Sequence, residues 1–370
     1  MMKADMYSSW AIVDLSAIEN NIRYVLKRTK VKVMAIVKAN AYGHGAVPVA
    51  QAALNAGASW CGVARVSEAL ELRQAGLTCP ILLLGFTPTD RYEEMIANNV
   101  SLTVWKPEQV QLLSAAAEQV GSPAKIHLKV DTGMSRLGIQ SKDALAFAKT
   151  IADYPHINFE GVFTHFARAD ESNPTPTNSQ ENLFLDLLAS FDRLNIRPPL
   201  VHAFNSAASL TRMSEHFNMV RFGIAMYGLH PSSDCQLPAA FRPALTWKTV
   251  LSHVKTLPPG RGVSYGHIYI TKKDERIGTV PVGYADGFRR LQGNEVLVRG
   301  KRVPVIGRVC MDQIMVQLDN VPEAKAGDEV VLIGKQGEDE ITAEQVAATW
   351  GTINYEVTCA IGVRVPRLYI

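Results

Sequence analysis

Cysteine is scarce and poorly placed for either of its usual structural roles. The five thiols, Cys61, Cys79, Cys235, Cys310 and Cys359, are odd in number, widely scattered and form no CxxC pair. That pattern argues against a disulfide scaffold or a thiolate zinc site and for a reducing compartment. Charge of one sign is also missing: Lys plus Arg number 38 against 35 for Asp plus Glu, and no long basic run interleaves with aromatics. Neither nucleic acid nor an anionic membrane is therefore expected as a partner. No stretch approaches ~18 uninterrupted apolar residues, so no membrane span is expected. Met1-Met2-Lys3-Ala4-Asp5 carries an acid and leads into Ser8-Ser9-Trp10 rather than an apolar signal core, which points to the cytoplasm. Asn99-Val100-Ser101 matches a glycosylation acceptor, which a cytoplasmic chain would not use.

What is present describes an ordinary globular protein, 47% hydrophobic and 20% charged over 370 residues. That length exceeds what one core usually sustains, so two domains are expected. From about residue 31 to 230, short apolar runs at 32–37, 59–64, 80–84, 101–105, 124–130, 157–163, 199–203 and 219–222 read as strands. Amphipathic segments near 45–56, 66–76, 89–97, 107–120, 142–153, 179–195 and 206–216 read as helices between them. Eight strands at this spacing favour an α/β fold of the (β/α)8 TIM-barrel type, assigned to residues 1–240. Residues 241–370 read as a mostly-β second domain. Its expected strands lie at 246–257, 276–282, 295–299, 302–306, 313–318 and 328–333, with one helix at 342–349 opened by Thr342. The polar, proline-bearing segment 168–178 reads as an exposed barrel loop.

Lys38 ends the apolar run Val33-Met34-Ala35-Ile36-Val37 and begins Lys38-Ala39-Asn40-Ala41-Tyr42-Gly43-His44-Gly45. A lysine at the inner end of a buried strand either snorkels to water or uses its amine, for instance in a Schiff base with an aldehyde cofactor. In a barrel the active site lies at the carboxyl ends of the strands. The residues that follow candidate strands are Lys38 and Tyr42, Asp131 through Arg136, His165, His202 with Asn205 and Ser206, and Arg221 with Gly223. Gly223 is either a plain turn or a place where backbone N–H groups approach a phosphate, with Ser206 and Tyr42 adding hydroxyl donors. Arg221 is either paired to a carboxylate or set against a cofactor ring nitrogen, which a permanent cation would leave largely unprotonated. Arg136 is either a strand-end salt bridge or a grip on a substrate carboxylate. His165 and His202 are structural donors, bases or relays orienting Arg221. Neither has metal-ligand spacing, so no metal is expected.

These motifs together resemble the alanine racemase family of pyridoxal-phosphate (PLP) enzymes, and its bacterial members most, along essentially the whole chain. The resemblance is carried by Val37 to Gly45, Lys129 to Arg136, His165-Phe166, His202 to Ser206 and Arg221 to Gly228. It continues through Ser264-Tyr265-Gly266, Gly283 to Gly287, Cys310-Met311-Asp312-Gln313 and Asn354-Tyr355-Glu356. It implies a barrel plus β domain in a homodimer whose active sites are shared between subunits. It implies that Lys38 is the PLP lysine and one catalytic base, with Tyr265 from the neighbouring chain as the other, beside His165. Tyr42, Ser206, Gly223, Ile224 and Tyr355 would hold the phosphate and Arg221 the ring nitrogen, with His202 and Asn205 completing the cofactor set. Arg136 would reach the ring oxygen and the substrate carboxylate, which Met311 also binds. Lys129 matches a lysine that is carbamylated in some relatives, and Tyr284 lines the family's entryway, with Cys310 and Asp312 in support.

The implied reaction is interconversion of L- and D-alanine, which supplies D-alanine for peptidoglycan. It removes the Cα proton from one face and returns one to the other. A tyrosine, whose phenol ordinarily titrates at about 10, needs positive surroundings to act as a base. The enzymatic alternatives are a serine or broad-specificity racemase and a decarboxylase of similar layout, whose ring-nitrogen partner is typically acidic. A PLP-binding carrier protein is the non-enzymatic alternative, and residues 245–370 with Tyr265 count against it.

Overall fold

The computed structural model describes residues 8–370, which form two compact units. One comprises Ala17–Ala41 and Ala46–Arg242, the other the residues up to Ser16, Tyr42–Gly45 and Pro243–Ile370. The strands used below are β1 (Ser9–Val13), β2 (Lys32–Ile36), β3 (Trp60–Val63), β4 (Ile81–Leu83), β5 (Val100–Val104), β6 (Ala124–Asp131), β7 (Ile139–Gln140), β8 (Ile157–Phe163), β9 (Leu200–His202), β10 (Met219–Phe222) and β11 (Leu245–Val250).

In the first unit eight parallel strands run in the order β10-β2-β3-β4-β5-β6-β8-β9, with β7 a short spur on β6. The two ends meet through hydrogen bonds from Asn218 N–H to Val201 O (3.1 Å) and from Arg221 N–H to Phe204 O (2.9 Å), which close the (β/α)8 barrel. Parallel strands covered on both faces must be apolar on both faces. Val33, Met34 and Ala35 of β2, and Ile81, Leu82 and Leu83 of β4, are accordingly buried without alternation. The helices between strands follow local chemistry. The helix Pro107–Val120 begins on a proline and stops at Gly121, whose left-handed φ of 70° suits glycine.

A helix that the strand–helix alternation did not call for, Leu15–Thr29, precedes β2. It buries Ile18, Ile22 and Val25 together with Asn21. The Asn21 amide donates to Met226 O (3.0 Å) and Arg242 O (2.9 Å) and accepts from Arg242 N–H (3.1 Å). It thus satisfies backbone groups on the segment that leaves β10. The segment read as an exposed loop, 168–178, is partly helical, because the helix Thr175–Arg193 starts inside it with a proline in its first turn. The next helix is short: it ends at Thr211, where Arg212 is extended and turns its guanidinium to Glu181 (3.0 Å).

In the second unit ten strands form one sheet. Its order is His253–Leu257, Glu275–Val280, Ile314–Gln317, Lys301–Ile306, Glu295–Val298, Glu329–Gln336, β11, β1 and Arg367–Tyr369, with Asp339–Ile341 added beside Glu329–Gln336. The strand β1 belongs here, which corrects the assignment of all of residues 1–240 to the barrel. It pairs antiparallel with β11, Ser9 opposite Thr249, and parallel with Arg367–Tyr369. The Trp247 indole N–H donates to Ser9 Oγ (3.0 Å). A partner so far along the chain leaves no mark in local periodicity. The helix expected at 342–349 is Ala343–Trp350, and Thr342 Oγ1 caps it by accepting from Gln345 N–H. A second helix, Asn354–Ala360, carries Tyr355.

Replacing Asn21 with Ala removes its hydrogen bonds to Met226 O, Arg242 O and Arg242 N–H from a fully buried position. Each lost bond costs about 0.5–1.5 kcal/mol. The denaturation midpoint of Asn21→Ala should fall by an amount equivalent to about 2 kcal/mol or more, with the denaturant slope unchanged. An unaltered midpoint would show that solvent reaches these groups.

Candidate active site

At the carboxyl end of β2 the chain makes an unusual turn. Val37 N–H still bonds Gly62 O as a strand residue would (2.9 Å), and Lys38 follows. Ala39, Asn40, Ala41 and Tyr42 then all adopt φ of 52°, a left-handed turn made without glycine. Such a conformation costs about 1–2 kcal/mol per residue. Local hydrogen bonds hold it: Ala39 N–H donates to Glu68 Oε1 (2.7 Å) and Ala46 N–H to Asn40 Oδ1 (2.9 Å). The other oxygen of Glu68 accepts from Ala64 and Arg65 N–H, so one carboxylate ties the lysine turn to the helix Val66–Gln74. In the sequence Glu68 passes for an ordinary helix former. Strain held in this way is characteristic of functional sites.

Arg221, on β10, organises the barrel interior. It is 4% exposed. One terminal nitrogen donates to His202 Nδ1 (2.9 Å) and His202 O (3.0 Å). The other donates to His165 Nδ1 (3.0 Å), Thr164 O (2.8 Å) and Ala203 O (2.9 Å). The Nε–H is the donor left over among the described residues. No carboxylate among the described residues contacts the guanidinium, which argues against the ordinary salt-bridge reading. Burial and then the Arg136 charge lower Arg221 to about 9, which leaves it a cation at neutral pH. Burial, followed by the charge of Arg221, pulls His165 and His202 well below the usual imidazole range. Both are therefore neutral acceptors toward the arginine.

Lys129 projects from β6 and is buried, with its amine 3.1 Å from Val130 O and 5.3 Å from the centre of the Phe163 ring. Burial first, then Arg221, against an opposing pull from Asp131 and with a smaller push from Arg136, bring it down to about 7. Arg136 is exposed, and its charge is felt at Lys129, His165 and Arg221. Its loop is shaped by Asp131 Oδ1, which accepts from Gly133 and Ser135 N–H at 3.0 Å each. The Lys38 charge is also felt at His165. Lys38, Lys129, Arg136, His165, His202 and Arg221 thus share one electropositive region of the barrel.

After β9 and β10 the backbone offers donors. Ser206 Oγ accepts from Gly223 N–H (2.9 Å) and Ala225 N–H (3.3 Å), which leaves its own proton to give. Ile224 opens a short 3-10 turn directly after Gly223. Asn205 caps the helix Ser206–Thr211 by accepting from Ala208 N–H (3.0 Å), so its oxygen is engaged in holding Ser206 in place. In the second unit the rings of Tyr42 and Tyr355 lie 6.1 Å apart. Burial, then Tyr355, raises the Tyr42 phenol and keeps it a donor. Elsewhere in that unit Tyr265, Met311 and Tyr284 are exposed, at 67%, 52% and 44%. Cys310 Sγ lies 3.3 Å from Ser264 Oγ, and Asp312 pairs with Arg364 (2.8 Å).

His127 and its partner Glu160 also escaped the sequence reading. His127 is wholly buried, with Nδ1 2.9 Å from His202 Nε2 and Nε2 3.2 Å from Glu160 Oε2. A faint signal existed: His127, Lys129 and Asp131 alternate along β6, placing polar groups on one strand face.

Burial lowers His127, His165 and His202 relative to an unfolded chain. The unfolded state therefore binds more protons below about pH 6.5, and stability falls as pH falls. Each of the three should contribute a slope of up to about 1.4 kcal/mol per pH unit between its unfolded and folded pKa. Chemical denaturation at stepped pH should show this loss beginning below about 6.5. A flat profile down to the carboxylate range would contradict the neutral assignment.

Comparison with known proteins matches this arrangement to one family. Residues 13–231 match the alanine racemase N-terminal domain and residues 244–369 the alanine racemase C-terminal domain. An alanine racemase of Desulfovibrio desulfuricans is 45% identical over 365 residues, 98% of each chain. Alanine racemase 1 of Bacillus subtilis is 46% identical, covering 98% of this chain and 93% of that one. The crystal structure of alanine racemase from Bacillus anthracis with bound L-Ala-P superposes with a TM-score of 0.92 at 46% identity. It covers 98% of this chain and 95% of its own. With both halves of the chain matched in order and over nearly their full length, the protein belongs to the alanine racemase family.

Proposed function

We propose that this chain interconverts L- and D-alanine with PLP as cofactor, using Lys38 and Tyr265 as opposed bases. The observation that carries the reading is Arg221, a buried cation oriented by acceptors and with its Nε–H left to donate. Such a group suits the ring nitrogen of PLP without protonating it. Among the described residues no acidic partner of the kind a decarboxylase uses contacts Arg221. The remaining residues fit the rest of the cofactor. Lys38 stands at the strand end as the attachment amine, and the Ser206 hydroxyl with the Ile224 N–H just after Gly223 would supply donors for a phosphate. Tyr42 and Tyr355, whose rings lie 6.1 Å apart, would add phenolic donors. When bound, PLP draws electrons from the substrate Cα and makes its proton removable.

The protein's own groups account for the rest. Lys38 holds or releases the proton on one face. Tyr265 of the partner subunit serves the opposite face, and the exposure of Tyr265, Met311 and Tyr284 in a single chain supports their donation to a second copy. His165 accepts from Arg221 at Nδ1, so its proton is on Nε2, where it can donate to the phenolate oxygen and favour the charged base. Arg136 grips the substrate carboxylate, and Met311 of the partner subunit lies beside it. The product supplies D-alanine for peptidoglycan in the cytoplasm.

Incubation with L-alanine in deuterated water should give D-alanine carrying deuterium at Cα, with no carbon dioxide released. Borohydride treatment should then leave the cofactor fixed on Lys38 in peptide maps. An adduct on another lysine, or carbon dioxide in place of D-alanine, would refute the reading. Shared sites make a separate expectation. Lys38→Ala and Tyr265→Phe subunits, each inactive alone, should complement on mixing, because one site of each hybrid dimer receives neither lesion. Activity per hybrid should approach about half that of the parent. Confirmed subunit exchange without recovery would place both residues in the same subunit.

A further inference from the structure

We propose that Glu160, turned inward by a β-bulge, anchors a one-way chain of hydrogen bonds through His127 and His202 that fixes both imidazole tautomers and so positions Arg221. The tautomers follow from geometry alone, and their consequence for catalysis rests on the racemase reading above.

Donor arithmetic allows a single arrangement of protons. A guanidinium has donors and no acceptor. His202 Nδ1, 2.9 Å from an Arg221 nitrogen, must therefore present a lone pair, which puts the proton of the neutral ring on Nε2. That Nε2 lies 2.9 Å from His127 Nδ1, so it donates and His127 accepts. The proton of His127 is then on its own Nε2, facing Glu160 Oε2 at 3.2 Å. The same carboxylate oxygen accepts from Ser101 Oγ (2.5 Å). A second proton on His127 would set N–H against N–H at His202, or force His202 to turn a donor toward Arg221. The series ends on a carboxylate because only an acceptor can terminate it.

The backbone is shaped for this. Along the β6–β8 pair Ile126 lies opposite Phe159, but the next pair is His127 opposite Gly161, so Glu160 is an extra residue on β8. Bulges are uncommon between parallel strands and re-aim the side chain they carry. Gly161 makes room, since a Cβ there would lie 2.3 Å from His127 Nδ1. The rings are also clamped: Phe163 stacks on His202 at 4.7 Å, and Trp60 meets His127 edge-on at 5.5 Å. Burial would raise the Glu160 carboxyl, but the His127 and Ser101 hydrogen bonds outweigh it and hold the group below its usual value, as an anion. Glu160 and His127 are thus positioning residues. Without the terminal acceptor, either imidazole can invert, and an inverted His202 faces Arg221 with a donor.

Neutron diffraction from deuterated crystals of the PLP-loaded enzyme tests this directly. The expected result is deuterium on Nε2 of both His127 and His202, with both Nδ1 atoms bare. Glu160→Leu should lower kcat for alanine racemisation by about tenfold, the loss of one hydrogen bond to a charged group, with KM little changed. Glu160→Gln keeps an acceptor oxygen and should restore kcat to near the parent value, which a general packing defect would not do. Deuterium on Nδ1 of His202 in the parent enzyme, or Glu160→Leu with parental kcat, would overturn the proposal. The parent crystal alone decides the tautomers if Glu160→Leu does not fold. Correct tautomers in an enzyme that does not racemise alanine would refute the racemase reading and leave the tautomer chain standing.

Discussion

A guanidinium buried as deeply as Arg221 cannot shed its proton at neutral pH and cannot leave its terminal N–H groups bare, so the surrounding barrel must supply acceptors in its fixed fork geometry. It does so with three backbone carbonyls and two imidazole nitrogens, drawn from β9 and the segments that follow β8 and β9. That requirement propagates. His202 and His165 must be neutral and must turn Nδ1 to the arginine, His127 must follow His202, and a carboxylate must end the series. Much of the polar interior of an otherwise apolar barrel is thus dictated by one cation.

The same cation sets the electrostatics around it. Lys129 feels its charge, Arg136 acts on it in turn, and Lys38 acts on the same His165, so the region is dense in positive charge. Asp131 is nearby but engages the backbone of its own loop. A site of this kind favours anions: a phosphate, a substrate carboxylate, a phenolate. The Ser206 hydroxyl and the Ile224 N–H offer neutral donors on the same barrel. A second constraint is mechanical. The left-handed turn from Ala39 to Tyr42 is held by Glu68 and Asn40, so the lysine departs from β2 in a defined direction rather than as a flexible strand end.

The legibility of these features differs with their range. Lys38, Ser206, Arg221 and Gly223 stand out in the sequence as candidates because each lies at the end of, or just after, an apolar run, and a barrel's site lies at the carboxyl ends of its strands. Pro107, Gly121 and Thr342 marked helix ends through their own backbone chemistry. The roles assigned to Tyr265, Met311 and Tyr355 came from resemblance, since a tyrosine between glycines in β sequence has no chemical signature of its own. Glu68 was hidden because a helix-favouring acid looks the same whether it faces water or holds a strained turn. The capping of the helix Ser206–Thr211 by Asn205 is a further role that only the structure shows.

By itself the sequence determined the alternation of strand and helix, the side of the barrel on which chemistry-bearing residues gather, and the presence of a β-rich second region. Those are local properties, written in periodicity, turn chemistry and the placement of polar residues after apolar runs. Tertiary structure alone decided that β1 leaves the barrel segment to pair with β11, that Glu160 sits on a bulge facing His127, and that Arg221 meets two imidazoles and no carboxylate. The physical reason is the same in each case: pairing register and donor–acceptor matching join residues tens to hundreds of positions apart, and no local pattern records which partner closes the bond.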